Sequence, residues 1–179
     1  IGIFGVTLLF NIAFPPHQPL IPVFAEKVLH VGPAALGVLG AASGSGALLG
    51  LTLILSRHEI QRKSTYYILG ALACLGFLSI FALSKSYLIS VAALFLAGIG
   101  FSGINSMQPT LILLSVDEGV RARVLGIHTI VIGVVPLSSL MVGALAELWG
   151  PGEAVAVVSL TCFLLIGVWA PFAREMRRL

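Results

Sequence analysis

Six apolar runs separated by short polar gaps make up almost the whole sequence. Each run is about 20 residues or longer, which matches a ~30 Å hydrocarbon core when a helix rises 1.5 Å per residue. The runs are continuous, whereas the strands of a membrane β-barrel would alternate in polarity over about ten residues. The pattern therefore predicts six membrane-spanning helices, at residues 1–25, 33–55, 65–84, 87–114, 122–147 and 153–172.

The composition supports this prediction. Hydrophobic residues form 58% of the chain and charged residues 9%, far less charge than the ~25% of a soluble domain. The spans leave no room for a soluble domain, so we expect an all-α membrane protein in which residues 1–179 form a single six-helix bundle. Cys74 and Cys162 lie in the middle of spans, where they are small hydrophobic side chains and not a disulfide or a metal site.

The basic residues predict the orientation. The gaps after spans two and four, together with the tail after span six, hold eight of the ten: Arg57, Arg62, Lys63, Arg121, Arg123, Arg174, Arg177 and Arg178. The positive-inside rule assigns this side to the cytoplasm. We therefore expect a multi-pass protein of the plasma (inner) membrane, with loops 56–64 and 115–123 and the C-terminus in the cytoplasm. No basic patch is interleaved with aromatic residues, so nucleic acid is not an expected partner.

Prolines interrupt span one. The segment FPPHQP (14–19) is followed by Pro22, and each proline removes a backbone donor. One interpretation is a broken helix that lines a cavity or an interface, because protein or water must satisfy the freed carbonyls. The other is that the helix ends at Pro15 and an extracellular loop follows. The apolar residues 20–25 favour the broken helix.

Glycines recur in span two. Gly40 and Gly44 lie four residues apart, as do Gly46 and Gly50, so each pair shares one helix face. Such faces allow a neighbouring helix to approach closely. Plain helix packing and a sliding interface both remain open.

Polar residues interrupt spans one, four and five, whereas spans three and six contain no amide, histidine or charge. Ser102, Asn105 and Gln108 follow one another at three-residue steps and are expected to share one stripe. Buried amides in lipid need partners or water. We predict a substrate cavity bounded by spans one, two, four and five; the alternative is that these amides only join helices. The candidate cavity residues are Asn11, Phe14, Gln18, Asn105, Gln108 and His128.

The segment before span five is charged. Asp117 or Glu118 is expected to cap the helix at its positive end. Arg121 and Arg123 are expected to anchor in the anionic lipid surface or to reach the end of a neighbouring helix. A gating role for these four residues is the alternative interpretation.

Four stretches carry a family resemblance: LIPVFAEKVL (20–29), LGVLGAASGSGALLG (36–50), VDEGVRARVLG (116–126) and PLSSLMVGALAE (136–147). In this order and spacing the chain resembles the C-terminal six helices of a major facilitator superfamily transporter, in the bacterial drug and siderophore efflux branch. The resemblance implies half of a twelve-helix fold. The start at Ile1, inside an apolar run, is accordingly expected to follow a missing N-terminal six-helix half.

The resemblance also implies alternating access and proton-coupled efflux of a small amphipathic molecule. The expected partners are the lipid bilayer, the substrate and the N-terminal half. No cofactor is expected, and the proton gradient is the expected driving force. No Asp or Glu lies in mid-span, so His128 is the candidate for titration near neutral pH, and the main proton carrier is expected in the other half.

Other functions remain as alternatives: a non-transporting scaffold or subunit, or a lysophospholipid-type lipid transporter. An intramembrane enzyme is disfavoured, because no HExxH, GxSxG or paired aspartates occur in the spans. His17 and His128 are expected near opposite membrane faces, too far apart to share a metal ion. No catalytic or metal site is therefore predicted.

Overall fold

The computed structural model describes residues 2–56, 63–114 and 118–169, and within these ranges it contains helices and no strand. Its helices are α1 (Gly2–Ala13), α2 (His17–Lys27), α3 (Pro33–Leu55), α4 (Lys63–Leu83), α5 (Tyr87–Leu114), α6 (Arg121–Ile132), α7 (Val135–Trp149) and α8 (Pro151–Trp169), with a 3-10 turn at Glu118–Val120.

The described residues contain five stretches that are long and apolar enough to cross a membrane: Pro33–Leu55, Lys63–Leu83, Tyr87–Ile112, Arg121–Trp149 and Pro151–Trp169. The predicted span one is divided between α1, of 12 residues, and α2, of 11 residues. Each is too short to cross a bilayer alone, because about 20 residues are needed. The described chain is therefore an all-helical, multi-pass membrane protein. By length and composition its described residues contain five spanning stretches, where the sequence predicts six.

The break in span one separates two helices and does not lead into a loop. α1 ends at Ala13, and α2 begins at His17 directly after Pro16. Because Pro15 has no N–H, the carbonyl of Asn11 loses its partner four residues on. The hydroxyl of Ser138 in α7 donates to that carbonyl at 3.1 Å. A neighbouring helix thus satisfies a backbone group that the proline leaves open.

A second break divides the stretch Arg121–Trp149. α6 ends at Ile132, Gly133 and Val134 form a turn, and α7 starts at Val135. Pro136 follows at once, and its missing N–H cannot bond the carbonyl of Ile132. The proline that the sequence marks in span five therefore coincides with an interruption of the helix.

Glycines bring α3 and α4 against α5 at very short distance. A Cβ added to Gly46 of α3 would overlap the backbone carbonyl of Phe95, and one added to Gly100 of α5 would lie 2.6 Å from the amide nitrogen of Cys74 in α4. By contrast, Gly40 and Gly44 have nothing within 4 Å of such a Cβ. One of the two predicted glycine pairs therefore packs inside the bundle, and the other faces outward.

The starts of α1, α4 and α6 and the ends of α5 and α8 lie at one end of the bundle, called here the basic end. Gly5 of α1 lies against the ring of Trp169 in α8, and Thr7 of α1 contacts Tyr67 of α4. At the opposite end, Phe24 of α2 packs on Phe81 of α4 with ring centroids 4.5 Å apart. The basic end carries the candidate site.

Candidate functional site

Four side chains from four helices form a hydrogen-bonded series, called here the polar chain. The hydroxyls of Tyr67 (α4) and Thr7 (α1) are 2.8 Å apart. The amide nitrogen of Gln108 (α5) lies 3.1 Å from the Thr7 hydroxyl and 2.6 Å from Nε2 of His128 (α6). Tyr67, Thr7 and Gln108 are buried, and His128 is half-buried. Two predicted cavity residues, Gln108 and His128, are thus in direct contact.

The donors and acceptors of the polar chain have a consistent order. The amide nitrogen of Gln108 has two hydrogens, and both of its neighbours are acceptors in this arrangement. A neutral His128 that accepts at Nε2 carries its hydrogen on Nδ1. The Thr7 hydroxyl donates to the carbonyl of Ile3 at 2.8 Å. The Tyr67 hydroxyl is within reach of Thr7 and, at 3.3 Å, of the same Ile3 carbonyl.

The polar chain lies one to two helical turns inside the basic end. Each of its four residues is between four and seven positions from the end of its own helix that lies at the basic end. At 1.5 Å per residue, this corresponds to a depth of roughly 6–10 Å. A hydrogen-bonded amide at this depth is protected from the penalty that an unpaired amide has in an apolar medium.

An aromatic cluster begins with Phe10, about one helical turn beyond Thr7 on α1. Phe10 and Phe14 of span one stack with ring centroids 5.1 Å apart, and Phe101 of α5 lies 5.0 Å from Phe14. His17, 1% exposed, packs on Phe14 at 4.6 Å. Its Nδ1 bonds the Phe14 carbonyl, and its Nε2 has no hydrogen-bond partner among the described residues. The predicted cavity residue Phe14 is therefore part of a buried aromatic wall.

The other predicted cavity residues are separate from the polar chain. Gln18 and Asn105 are exposed on the surface of the bundle, and Asn11 is half-buried. The expected stripe on α5 divides, since Ser102 points to Gly50 of α3 whereas Gln108 points to α1 and α6. Six residues at 3.6 per turn leave the two roughly 120° apart. The expectation of one shared stripe was therefore wrong.

The predicted gating residues lie around the start of α6. Asp117 is outside the described residues, and Glu118 opens the 3-10 turn Glu118–Val120. The N-cap of α6 is Val120, without a side-chain cap, and the capping role expected of Asp117 or Glu118 stays a prediction. Arg121 is half-buried and Arg123 is exposed.

Sequence reasoning did not identify Thr7 or Tyr67. The only available signal was a hydroxyl inside an apolar run, and such hydroxyls commonly bond their own helix. It also overlooked a polar contact between spans three and six, where the hydroxyls of Ser79 and Ser159 are 2.8 Å apart. Both contacts depend on the rotation of each helix about its axis, which the sequence does not state.

Two further features of the described residues were considered as sites. An open groove of about 440 Å³ on the outer face of α4 and α8 is lined entirely by apolar residues and glycine, among them Leu72, Phe77 and Phe163. It offers no polar group to orient a ligand. Among the residues described, no three His, Cys, Asp or Glu side chains are close enough to hold a metal ion. The polar chain and the aromatic cluster are therefore the candidate site.

Comparison with known proteins identifies the family. A search of curated proteins gives no match. The family profile described as Major Facilitator Superfamily matches residues 1–139, more than three quarters of the chain. The family transports molecules across membranes, which agrees with a bundle of apolar helices that encloses a few polar groups. The chain belongs to the Major Facilitator Superfamily.

Proposed function

We propose that this chain is one half of a twelve-helix exporter that moves small amphipathic molecules out of the cell in exchange for protons. The observation that carries the proposal is the contact between Gln108 and His128, inside the membrane and at 2.6 Å. Polar and ionisable groups at such depth are costly and usually serve an ion or substrate path. They lie on spans four and five, among those predicted to line the path.

The aromatic cluster supports an amphipathic substrate. Phe14 and Phe101 belong to different spans, and their rings form one stacked wall. Phe14 is buried and Phe101 is half-buried, so we propose that Phe101 offers the flat apolar surface and that the exposed amides of Gln18 and Asn105 offer hydrogen bonds to a polar part of the substrate. Apolar surface with a few placed polar groups is typical of small-molecule sites.

Exposure of particular helices supports a second bundle. In an apolar stretch of 18 residues, 22% of the α3 residues and 11% of the α6–α7 residues are buried inside the bundle, against 50% for α4 and for α5. We propose that the N-terminal six-helix half covers α3 and α6–α7, and that the two halves rock about a site between them. The basic end would face the cytoplasm, in accordance with the positive-inside rule.

The test is transport by the full-length protein in liposomes, with an imposed pH gradient. Uptake of a fluorescent lipophilic cation and of a catecholate is measured for the wild type, His128→Ala and the control Thr129→Ala. Thr129 is exposed, and within the described part of the chain its hydroxyl bonds the Leu125 carbonyl of its own helix at 3.1 Å. We expect about tenfold slower transport in His128→Ala, the equivalent of one hydrogen bond to a charged group, and no change in the control.

Three results would contradict the proposal. Equal transport by His128→Ala and wild type at several pH values would remove His128 from the mechanism. Movement of a fluorescent lysophospholipid, without flux of the cation or the catecholate, would indicate a lipid transporter. Absence of flux for all three compounds in correctly folded protein would indicate a scaffold.

A further inference from the structure

Two atoms in and beside the polar chain each have two hydrogen-bond partners within reach. The amide nitrogen of Gln108 contacts both the Thr7 hydroxyl and Nε2 of His128. The carbonyl of Ile3 is within reach of both the Thr7 and the Tyr67 hydroxyls, at 2.8 and 3.3 Å. The series therefore ends in an acceptor that either hydroxyl is able to use.

With a neutral His128, one assignment of donors and acceptors satisfies every hydrogen bond of the polar chain. Gln108 donates to His128 Nε2 and to Thr7, Thr7 donates to the Ile3 carbonyl, and Tyr67 donates to Thr7. The hydroxyl of Thr7 uses its one hydrogen and both of its lone pairs in this arrangement.

A proton on His128 makes this order untenable, because Nε2–H would then face the hydrogens of the Gln108 amide. Rotation of the amide by half a turn presents the oxygen of Gln108 to both neighbours. His128 then donates to that oxygen, Thr7 turns to donate to it as well, and Tyr67 takes over the Ile3 carbonyl.

We propose that His128 binds a proton and that Gln108 responds by turning its amide over, which reverses the hydrogen bond between Gln108 and Thr7 and moves the Tyr67 hydroxyl from Thr7 to the Ile3 carbonyl. Gln108 and Thr7 are positioning residues in this scheme. The inference goes beyond the proposed transport and does not depend on it, since it concerns the protonation of the site and not the movement of a substrate.

Within residues 2–56, 63–114 and 118–169, few titratable groups belong to the elements packed around His128. α1 carries no titratable side chain, and α5 carries only Tyr87, at its opposite end. On α6 itself, Arg121 lies two turns before His128 on the same face and Arg123 follows it. Glu118 belongs to the 3-10 turn ahead of α6, and Tyr67 is the titratable member of the polar chain from α4. Gln108 contacts the imidazole of His128 directly, and it is therefore the group whose hydrogen bond differs between the neutral and the protonated imidazole.

The first test needs no substitution. Histidine labelled with 15N is observed by NMR in the wild-type chain in lipid nanodiscs, across a range of pH, and His128→Gln identifies the resonance. The neutral imidazole should carry its hydrogen on Nδ1, the form that free histidine adopts less often. A neutral His128 with its hydrogen on Nε2 would overturn the proposal, because Gln108 could not then donate to it.

The second test removes the hydroxyl with the isosteric change Thr7→Val, and Thr7→Ser, which keeps it, is the control. In Thr7→Val the neutral state retains a buried Gln108 N–H without a partner, whereas the protonated state keeps the bond from His128 to the Gln108 oxygen. The proton affinity of His128 should therefore rise, by about tenfold for one unsatisfied donor, and stay unchanged in Thr7→Ser. An identical titration midpoint in Thr7→Val and wild type would refute the reversal.

Discussion

The packing of α3 on α5 gives the most direct test of the fold. A Cβ added at Gly46 would lie 2.8 Å from the carbonyl carbon of Phe95 and would overlap its oxygen, whereas Gly44 on the same helix has nothing within 4 Å. The methyl group of alanine at position 46 therefore overlaps the backbone of Phe95, which cannot move aside by changing a side-chain rotamer. Alanine at position 44 enters open space.

The expected magnitude follows from two opposing effects. Alanine favours a helix over glycine by about 0.5–1 kcal/mol. At Gly46 the two helices must separate by roughly 1 Å to restore ordinary contact, and overpacking of this kind costs about 1–3 kcal/mol. We therefore expect Gly46→Ala to lower the free energy of unfolding by ~1–2 kcal/mol. Gly44→Ala should leave it unchanged or raise it slightly.

The assay is thermal unfolding of both variants in the same detergent, followed by the loss of the monomer peak in size exclusion. For a chain of this size, 1 kcal/mol corresponds to about 2–4 °C in Tm. Gly46→Ala should unfold roughly 2–8 °C below wild type, and Gly44→Ala at or above it. Equal Tm values for the two variants would show that the close α3–α5 contact does not form.

Two further predictions concern hydroxyls between helices. Ser138→Ala removes the donor to the Asn11 carbonyl and should lower the free energy of unfolding by about 1 kcal/mol. The control Ser139→Ala should leave it unchanged. An equal loss of stability in the two variants would contradict the contact. A double-mutant cycle tests the bond between α4 and α8 with Ser79→Ala, Ser159→Ala and the double variant. The coupling energy should be near 0.6 kcal/mol, about the mean for hydrogen bonds inside membranes. A coupling energy of zero would mean that the two helices do not share this bond.

Hydropathy and proline predicted much of the fold because the bilayer leaves a chain few choices. Every backbone polar group in lipid needs a partner, so a long apolar run must be helical. The same requirement explains the breaks, since Pro15 and Pro136 each remove a donor and each lies at an interruption. Span counting was less successful, because the first span consists of two short helices.

The candidate site was less predictable because it depends on how each helix is rotated. The types of Gln108 and His128 marked them as unusual inside an apolar run, and the structure brings them together. Asn105 carries the same kind of side chain as Gln108, yet it is exposed. Thr7 and Tyr67 were missed because a hydroxyl in a membrane helix usually bonds its own backbone. Only the packing of α1, α4 and α5 distinguishes these cases.

The arrangement also separates a firmly packed block from a loosely held helix. Gly46, Gly98 and Gly100 hold α3 and α4 against α5 through contacts with backbone atoms, and such contacts leave little room for sliding. In α6, by contrast, no residue is buried, and one of its polar links to α5 is the bond from Gln108 to His128. In the proposed scheme the proton therefore binds to the described helix with the fewest buried residues, while Gln108, the side chain that responds, belongs to the firmly packed block.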